Sequence, residues 1–300
     1  MGKKPAETLK RIGMLLALLL CVALVASPAW AMGHGKKPAI KKAILLVTFG
    51  TSVPRAQKVF TLVDKAYRKA FPGMEIRWAY TAKFIRDKVA KKGLVWLAPE
   101  EALAKLMAQG YNRIAVQSLH VIAGAEFHDL LRVVHGFNGM TYGFKALVGN
   151  PLCATTGDIK RVVEAVLKAA PKARKKGEAL VYMGHGTAHP GGVAYPAIAY
   201  VIGLHDPLAF LGTVEGYPTL EDVKAKLLAR KVKTAYLLPF MTVAGDHAMN
   251  DMAGDEPDSW KSVLQKAGIK CKPVIKPITE DPQVIQVWID HTKAVLKHFK

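Results

Sequence analysis

Short apolar runs alternate with helical stripes along most of this chain. Ala43–Thr48 (AILLVT) is a run of buried-strand type that ends at Phe49-Gly50-Thr51-Ser52. In residues 54–71 the apolar positions Ala56, Val59, Phe60, Val63, Ala66, Tyr67 and Ala70 recur at helical spacing, and Pro72-Gly73 closes the stripe. Met74–Tyr80 alternates as a strand does. Pro99–Gln109 predicts a helix, Ile114–Val121 a strand, the segment around Leu130–Val134 a helix, and Thr141–Val148 a strand. Ile159–Ala169 is helical, and Pro171–Gly177 is a basic linker. The alternation then restarts. Strands are predicted at 179–183, 209–214, 234–240 and 271–275, and helices at 194–204, 220–230, 258–267 and 282–299. Strands alternating with helices imply parallel sheets.

The two halves read as copies. Glu100–Leu130 aligns without a gap on Glu221–Asp251. Glu100/Glu221, Ala104/Ala225, Lys105/Lys226, Leu106/Leu227 and Ala108/Ala229 coincide, as do Ala123-Gly124 and Ala244-Gly245. ILLVTFGT at 44–51 matches LVYMGHGT at 180–187, which sets Gly50-Thr51 on Gly186-Thr187. The expected fold is α/β, with two similar doubly wound parallel-sheet domains and a cleft between them. Residues 41–155 form the first domain and 156–300 the second. The closing helix 282–299 is a candidate to pack back on the first.

The duplication makes a statement about chemistry. Phe49 stands in the first half where His185 stands in the second, and Glu126 where His247 stands. His185 sits between two glycines at a strand end, where backbone and ligand approach closely. His185, Glu215 and His247 all follow strands, so they share the C-terminal edge of one sheet, where open α/β sheets bind ligands. Two imidazoles and a carboxylate suit a divalent transition metal with open positions left. Gly186 and Pro190 argue against His185 and His189 as a helical metal pair. No nucleophile-elbow pattern surrounds Ser52, which argues against a serine hydrolase.

Charge and the N-terminus narrow the class. The chain carries 43 Lys+Arg against 23 Asp+Glu, a net +20. Residues 1–31 read as a secretory signal. Lys3, Lys4, Lys10 and Arg11 form a basic start, Met14–Val25 an apolar stretch short for a bilayer, and Ala29-Trp30-Ala31 a small-x-small cleavage site. The expected location is the periplasm, with no stable membrane span after cleavage. Nucleic acid is a poor partner there, and no zinc-finger or helix-turn-helix pattern is present. A small molecule with several carboxylates fits the charge better. Cys153 and Cys271 are too few for a disulfide framework, although an oxidising compartment would let them pair.

Five stretches carry a family resemblance: LLVTFGTS (45–52), AVQSLHVIAGAEFHD (115–129), VYMGHGTAH (181–189), TVEGYP (213–218) and LLPFMTVAGDHAMNDMAGDEPDSW (237–260). Together they resemble the anaerobic-pathway sirohydrochlorin cobalt chelatases, class II chelatases related to ferrochelatase. The resemblance covers residues 41–299. It implies insertion of Co²⁺, with Fe²⁺ as a side activity, into sirohydrochlorin with release of two protons, a step of cobalamin biosynthesis. It places metal binding on His185 and His247, with Glu215 adding charge, and catalysis on His185, Glu126 and His247. Phe49, Gly50, Thr51, Ser52 and Gly186 would bear on the macrocycle, although a core position suits Phe49 equally. A homo-oligomer is also expected.

An exported copy departs from the family pattern, as does His128 in EFHD. On a helix Glu126 and His128 point apart. A surface histidine is the plain reading of His128. The other is a haem b ligand at a subunit interface, a role for which His120 and His135 compete. A second class of function stays open: a periplasmic metal- or haem-binding transport protein on the same scaffold.

Overall fold

The computed structural model describes residues 39–299. The expected signal, residues 1–31, lies outside them. Each half holds a four-stranded parallel sheet. The first comprises β1 (Lys42–Thr48), β2 (Glu75–Tyr80), β3 (Arg113–Ser118) and β4 (Lys145–Gly149), in the order β2-β1-β3-β4. The second comprises β5 (Ala179–Gly186), β6 (Ala209–Glu215), β7 (Thr234–Pro239) and β8 (Lys270–Pro273), in the order β6-β5-β7-β8. The two orders are equivalent, so the internal repeat extends to topology.

The helices are α1 (Pro54–Ala70), α2 (Lys83–Ala90), α3 (Pro99–Ala108), α4 (Ala125–Asn138), α5 (Thr156–Lys168), α6 (Ala194–His205), α7 (Leu220–Ala229), α8 (Trp260–Lys266) and α9 (Pro282–Leu296). Helix α3 and strand β3 recur as α7 and β7 with the same 121-residue offset at every boundary. Local chemistry explains the starts. Pro54 opens α1, while Thr155 with Asp158 and Thr219 with Asp222 form capping boxes on α5 and α7.

Alternation along each central strand feeds two cores. Ile44 and Leu46 of β1 join Leu180 and Tyr182 of β5 and Trp288 of α9 in one core shared by both halves. Ala43, Leu45 and Val47 face a core confined to the first sheet, and Ala179, Val181 and Met183 one confined to the second. Helix α9 returns to the first half, where buried Thr292 bonds Gln117 Oε1 of β3 (3.0 Å) and the Tyr67 hydroxyl of α1 (3.1 Å). Each such buried bond contributes roughly 0.5–1.5 kcal/mol net.

Three expectations are corrected. Strand β5 does not stop at Met183; it runs through Gly184, His185 and Gly186, which pair along β6 at Thr213 and Glu215. The strand expected over 141–148 starts only at Lys145, because Gly143 turns the chain at φ +80°. Helix α2 has no counterpart in the repeat: 18 residues separate β2 from α3, whereas β6 reaches α7 through Gly216–Thr219. The thiols of Cys153 and Cys271 are both free.

Candidate functional site

The C-terminal ends of both central strands open on one cavity of about 380 Å³. The first half contributes the turn Phe49–Ser52 after β1, His120 after β3, and Glu126 in the first turn of α4. The second half contributes His185 and Gly186 from β5, Glu215 from β6, and His247 beyond β7. The turns touch where Thr51 meets Gly245: a Cβ on that glycine would lie 3.2 Å from Thr51 Oγ1.

The glycines around His185 have a steric cause. A Cβ on Gly184 would lie 2.6 Å from the ring of buried Tyr195. Gly186 has φ +84°, and its Cβ would lie 1.5 Å from the backbone oxygen of Glu215. Gly50, its counterpart after β1, also has positive φ. Strand β5 therefore presses against β6 where His185 must be held. Burial pushes the Tyr195 hydroxyl up to about 12, so it stays protonated.

The two imidazoles stand edge to face, with ring centroids 4.6 Å apart. His185 Nδ1 lies 3.0 Å from the carbonyl of Gly186, so that nitrogen carries the proton and donates it. His247 Nδ1 bonds the carboxylate of Asp251. Both Nε2 atoms are left with free lone pairs, the arrangement that tunes imidazole as a metal ligand. Asp251 lies on a π-helical turn, Ala248–Met252, that starts beside His247. Single π turns concentrate at functional sites.

Glu126 reaches the same cavity from the opposite half. Near it, His120 bonds Ser118 Oγ through Nδ1 (2.8 Å), while its buried Nε2 has no partner among the described residues. Burial pushes His120 down to about 4 despite the nearby Glu126 charge, so the ring is neutral at physiological pH.

The remaining expected residues fall as follows. Phe49, Gly50, Thr51, Ser52 and Gly186 line the cavity; Phe49 is half-buried and meets Phe84 edge to face at 5.8 Å. Glu215 lines the cavity too. However, no group of three or more His, Cys, Asp or Glu side chains is gathered for a metal among the described residues. The two histidine rings are in contact, and Glu215 lines the same cavity. His128 is not among the lining residues. Its Nδ1 bonds the Gly124 carbonyl (2.9 Å), and its ring lies 4.6 Å from that of His189. His135 is exposed on the far part of α4.

Asp251, Tyr195, Phe84 and Lys88 were not singled out from sequence. The four-residue spacing of His247 and Asp251 was a usable signal, since such pairs meet on a helical turn. Tyr195 carried none and α2 only a weak one, because their roles depend on contacts across the fold.

Comparisons with known proteins identify the family. The family model described as cobalt chelatase (CbiK) matches residues 42–297. The chain is 38% identical over 259 residues to the sirohydrochlorin cobaltochelatase CbiKC of Nitratidesulfovibrio vulgaris, covering 86% of this chain and 92% of that one. It is 33% identical to the sirohydrochlorin cobaltochelatase of Salmonella typhimurium, covering 86% and 97%. Among solved structures, the cobalt complex of the sirohydrochlorin chelatase SirB from Bacillus subtilis subspecies spizizenii shares the fold, with TM-score 0.58, 15% identity and coverage of 86% and 96%. With two imidazoles in contact, an opposing glutamate and a match across nearly all the described residues, the chain belongs to the cobalt chelatase (CbiK) family.

Proposed function

We infer that this chain inserts Co²⁺ into sirohydrochlorin, as a sirohydrochlorin cobaltochelatase. The observation that carries the reading is the His185–His247 pair, whose Nδ1 atoms are both occupied while both Nε2 atoms remain ligands. Co²⁺ is the substrate metal and must be released, so an incomplete protein ligand set is what the reaction needs. Two imidazoles hold the ion, and Glu215 adds negative charge to the same wall. Glu126 faces the macrocycle from the other half and accepts a pyrrole proton. Two N–H protons leave, four nitrogens take the cation, and the charge balances.

The test pairs metal titration with insertion assays. His185→Ala and His247→Ala are expected to weaken Co²⁺ binding and to slow insertion strongly. Glu126→Ala should hold Co²⁺ as the wild type does while inserting about 10²–10⁴-fold more slowly, the usual cost of losing a general base. Higher pH should restore part of that rate, because hydroxide takes over deprotonation. Loss of Co²⁺ affinity in Glu126→Ala as severe as in the histidine variants would make the glutamate a ligand and overturn this division of roles.

Two further proposals rest on sequence. Residues 1–31 direct export to the periplasm, supported by their basic start, apolar stretch and Ala29-Trp30-Ala31 site. Secreted chain should begin near Met32, and an intact Met1 on it would overturn export with cleavage. Haem b is a candidate ligand of His128 in a homo-oligomer. The Gly124 bond leaves His128 Nε2 as the ligating nitrogen, so the donor chemistry fits. His128→Ala should then remove a Soret band from purified protein, and an unchanged spectrum refutes the assignment.

A further inference from the structure

Helix α2 is the segment that breaks the internal repeat, and it forms part of the cavity wall. Three of its residues line the cavity: buried Ile85, exposed Phe84 and, one helical turn after Phe84, Lys88. Phe84 is 56% exposed, an unusual position for a phenylalanine that also touches Phe49. Lys88 is exposed and has no hydrogen-bond or ion-pair partner among the described residues. The other cations of α2 are committed elsewhere. Lys83 pairs with Asp87 (2.8 Å), and Arg86 donates to the carbonyls of Tyr80 (2.6 Å) and Thr81 (2.8 Å).

Charge makes Lys88 distinctive. Glu126, Glu215 and Asp246 line the cavity, and Lys88 is its single Lys or Arg among the described residues. A chain of net +20 thus lines its cavity with three carboxylates and one exposed, unpaired ammonium among the described residues. The helix that carries it is fixed in place. Arg86 staples α2 to the end of β2. Ile85 packs where a Cβ on Gly50 would be only 3.3 Å away, and Trp96 of the same insertion stacks on Tyr80 at 4.0 Å. A ligand meeting Phe84 and Lys88 therefore meets a platform that needs little ordering.

We propose that Phe84 and Lys88 form a substrate subsite: Phe84 covers the rim of the macrocycle and Lys88 pairs with one of its peripheral carboxylates. This rests on the sirohydrochlorin reading above. The subsite selects for an acid-rich tetrapyrrole, because an apolar-edged macrocycle leaves the ammonium without a partner. The insertion supplies this subsite to the first half alone. The substrate's orientation in the cleft is thereby fixed relative to the metal-holding half.

The test uses the whole chain and metal-free sirohydrochlorin, followed by its fluorescence, beside Co²⁺ insertion kinetics. Lys88→Ala is expected to raise Kd about 3–10-fold, Lys88→Glu more, and Lys88→Arg little, in keeping with one partly exposed charge-assisted bond. Wild-type affinity should fall as NaCl rises, and Lys88→Ala should flatten that dependence. Phe84→Ala should raise Kd about 5-fold, with Phe84→Leu recovering part of the loss. In each case the rise in KM should exceed the change in kcat. Wild-type binding and insertion together with unchanged Kd and salt dependence in the Lys88 variants would overturn the subsite and leave the chelatase reading standing. A wild type that neither binds sirohydrochlorin nor inserts Co²⁺ would overturn both.

Discussion

Gly186→Ala, measured beside Gly177→Ala, separates two physical costs at the site. Both glycines have left-handed φ, +84° and +87°. An alanine in that region costs roughly 1–2 kcal/mol from its own backbone. At Gly177 nothing lies within 4 Å of the new Cβ, so that strain is the whole expected effect. At Gly186 the Cβ would lie 1.5 Å from the Glu215 oxygen and 2.5 Å from its carbonyl carbon. Ordinary carbon contacts need about 3.5 Å, so β6 must retreat by roughly 2 Å. That retreat breaks the β5–β6 pairing at Gly184↔Thr213 and Gly186↔Glu215. Lost ladder bonds and loosened packing over Tyr195 should add about 2–4 kcal/mol to the backbone strain. Function should suffer more than stability. A 1 Å misplacement costs about 10²-fold in rate, and here both His185 and Glu215 are displaced. Denaturant midpoints of both variants give the stability difference, and kcat/KM per folded molecule gives the functional one. If Gly186→Ala unfolds within about 1 kcal/mol of Gly177→Ala and inserts Co²⁺ at the wild-type rate, close contact with Glu215 is not what demands glycine.

The other expectations concern polar groups around the cavity. Asp251→Asn leaves the His247 ring in place but weakens the acceptor of its Nδ1 proton; metal affinity should fall about 10–100-fold in calorimetric titration, as for other outer-shell carboxylates. His120 gives stability a pH dependence of definite sign. Its folded-state value of about 4 lies below the unfolded 6.5, so the unfolded chain binds the extra proton between those values. Its contribution is full above pH 6.5 and is lost as pH falls towards 4, by up to about 3 kcal/mol. Urea midpoints of His120→Gln should therefore fall less steeply across that window than those of the wild type, and parallel slopes would remove His120 as the cause.

Much of this protein was legible in its sequence, because periodic burial leaves a local trace. The parallel α/β class, the repeat and nearly every element follow from apolar runs and stripes, and the 121-residue offset holds at both ends of α3/α7 and β3/β7. The strand-end positions of His185, Glu215 and His247 were legible for the same reason. Tertiary structure decided what depends on contacts between distant segments. It extended β5 through His185, since Gly186 can pair with Glu215 only when β6 lies against it. It brought the rings of His185 and His247 within 4.6 Å, a matter of side-chain direction that strand ends do not specify. It placed His128 against His189, 61 residues away, instead of leaving it a free surface group. Helix α2 was unread because eight residues with two buried apolar positions leave a weak stripe, and the repeat offered no template. Its packing under Gly50 and Tyr80 sets Phe84 and Lys88 at the cavity, a placement that only the folded chain can supply.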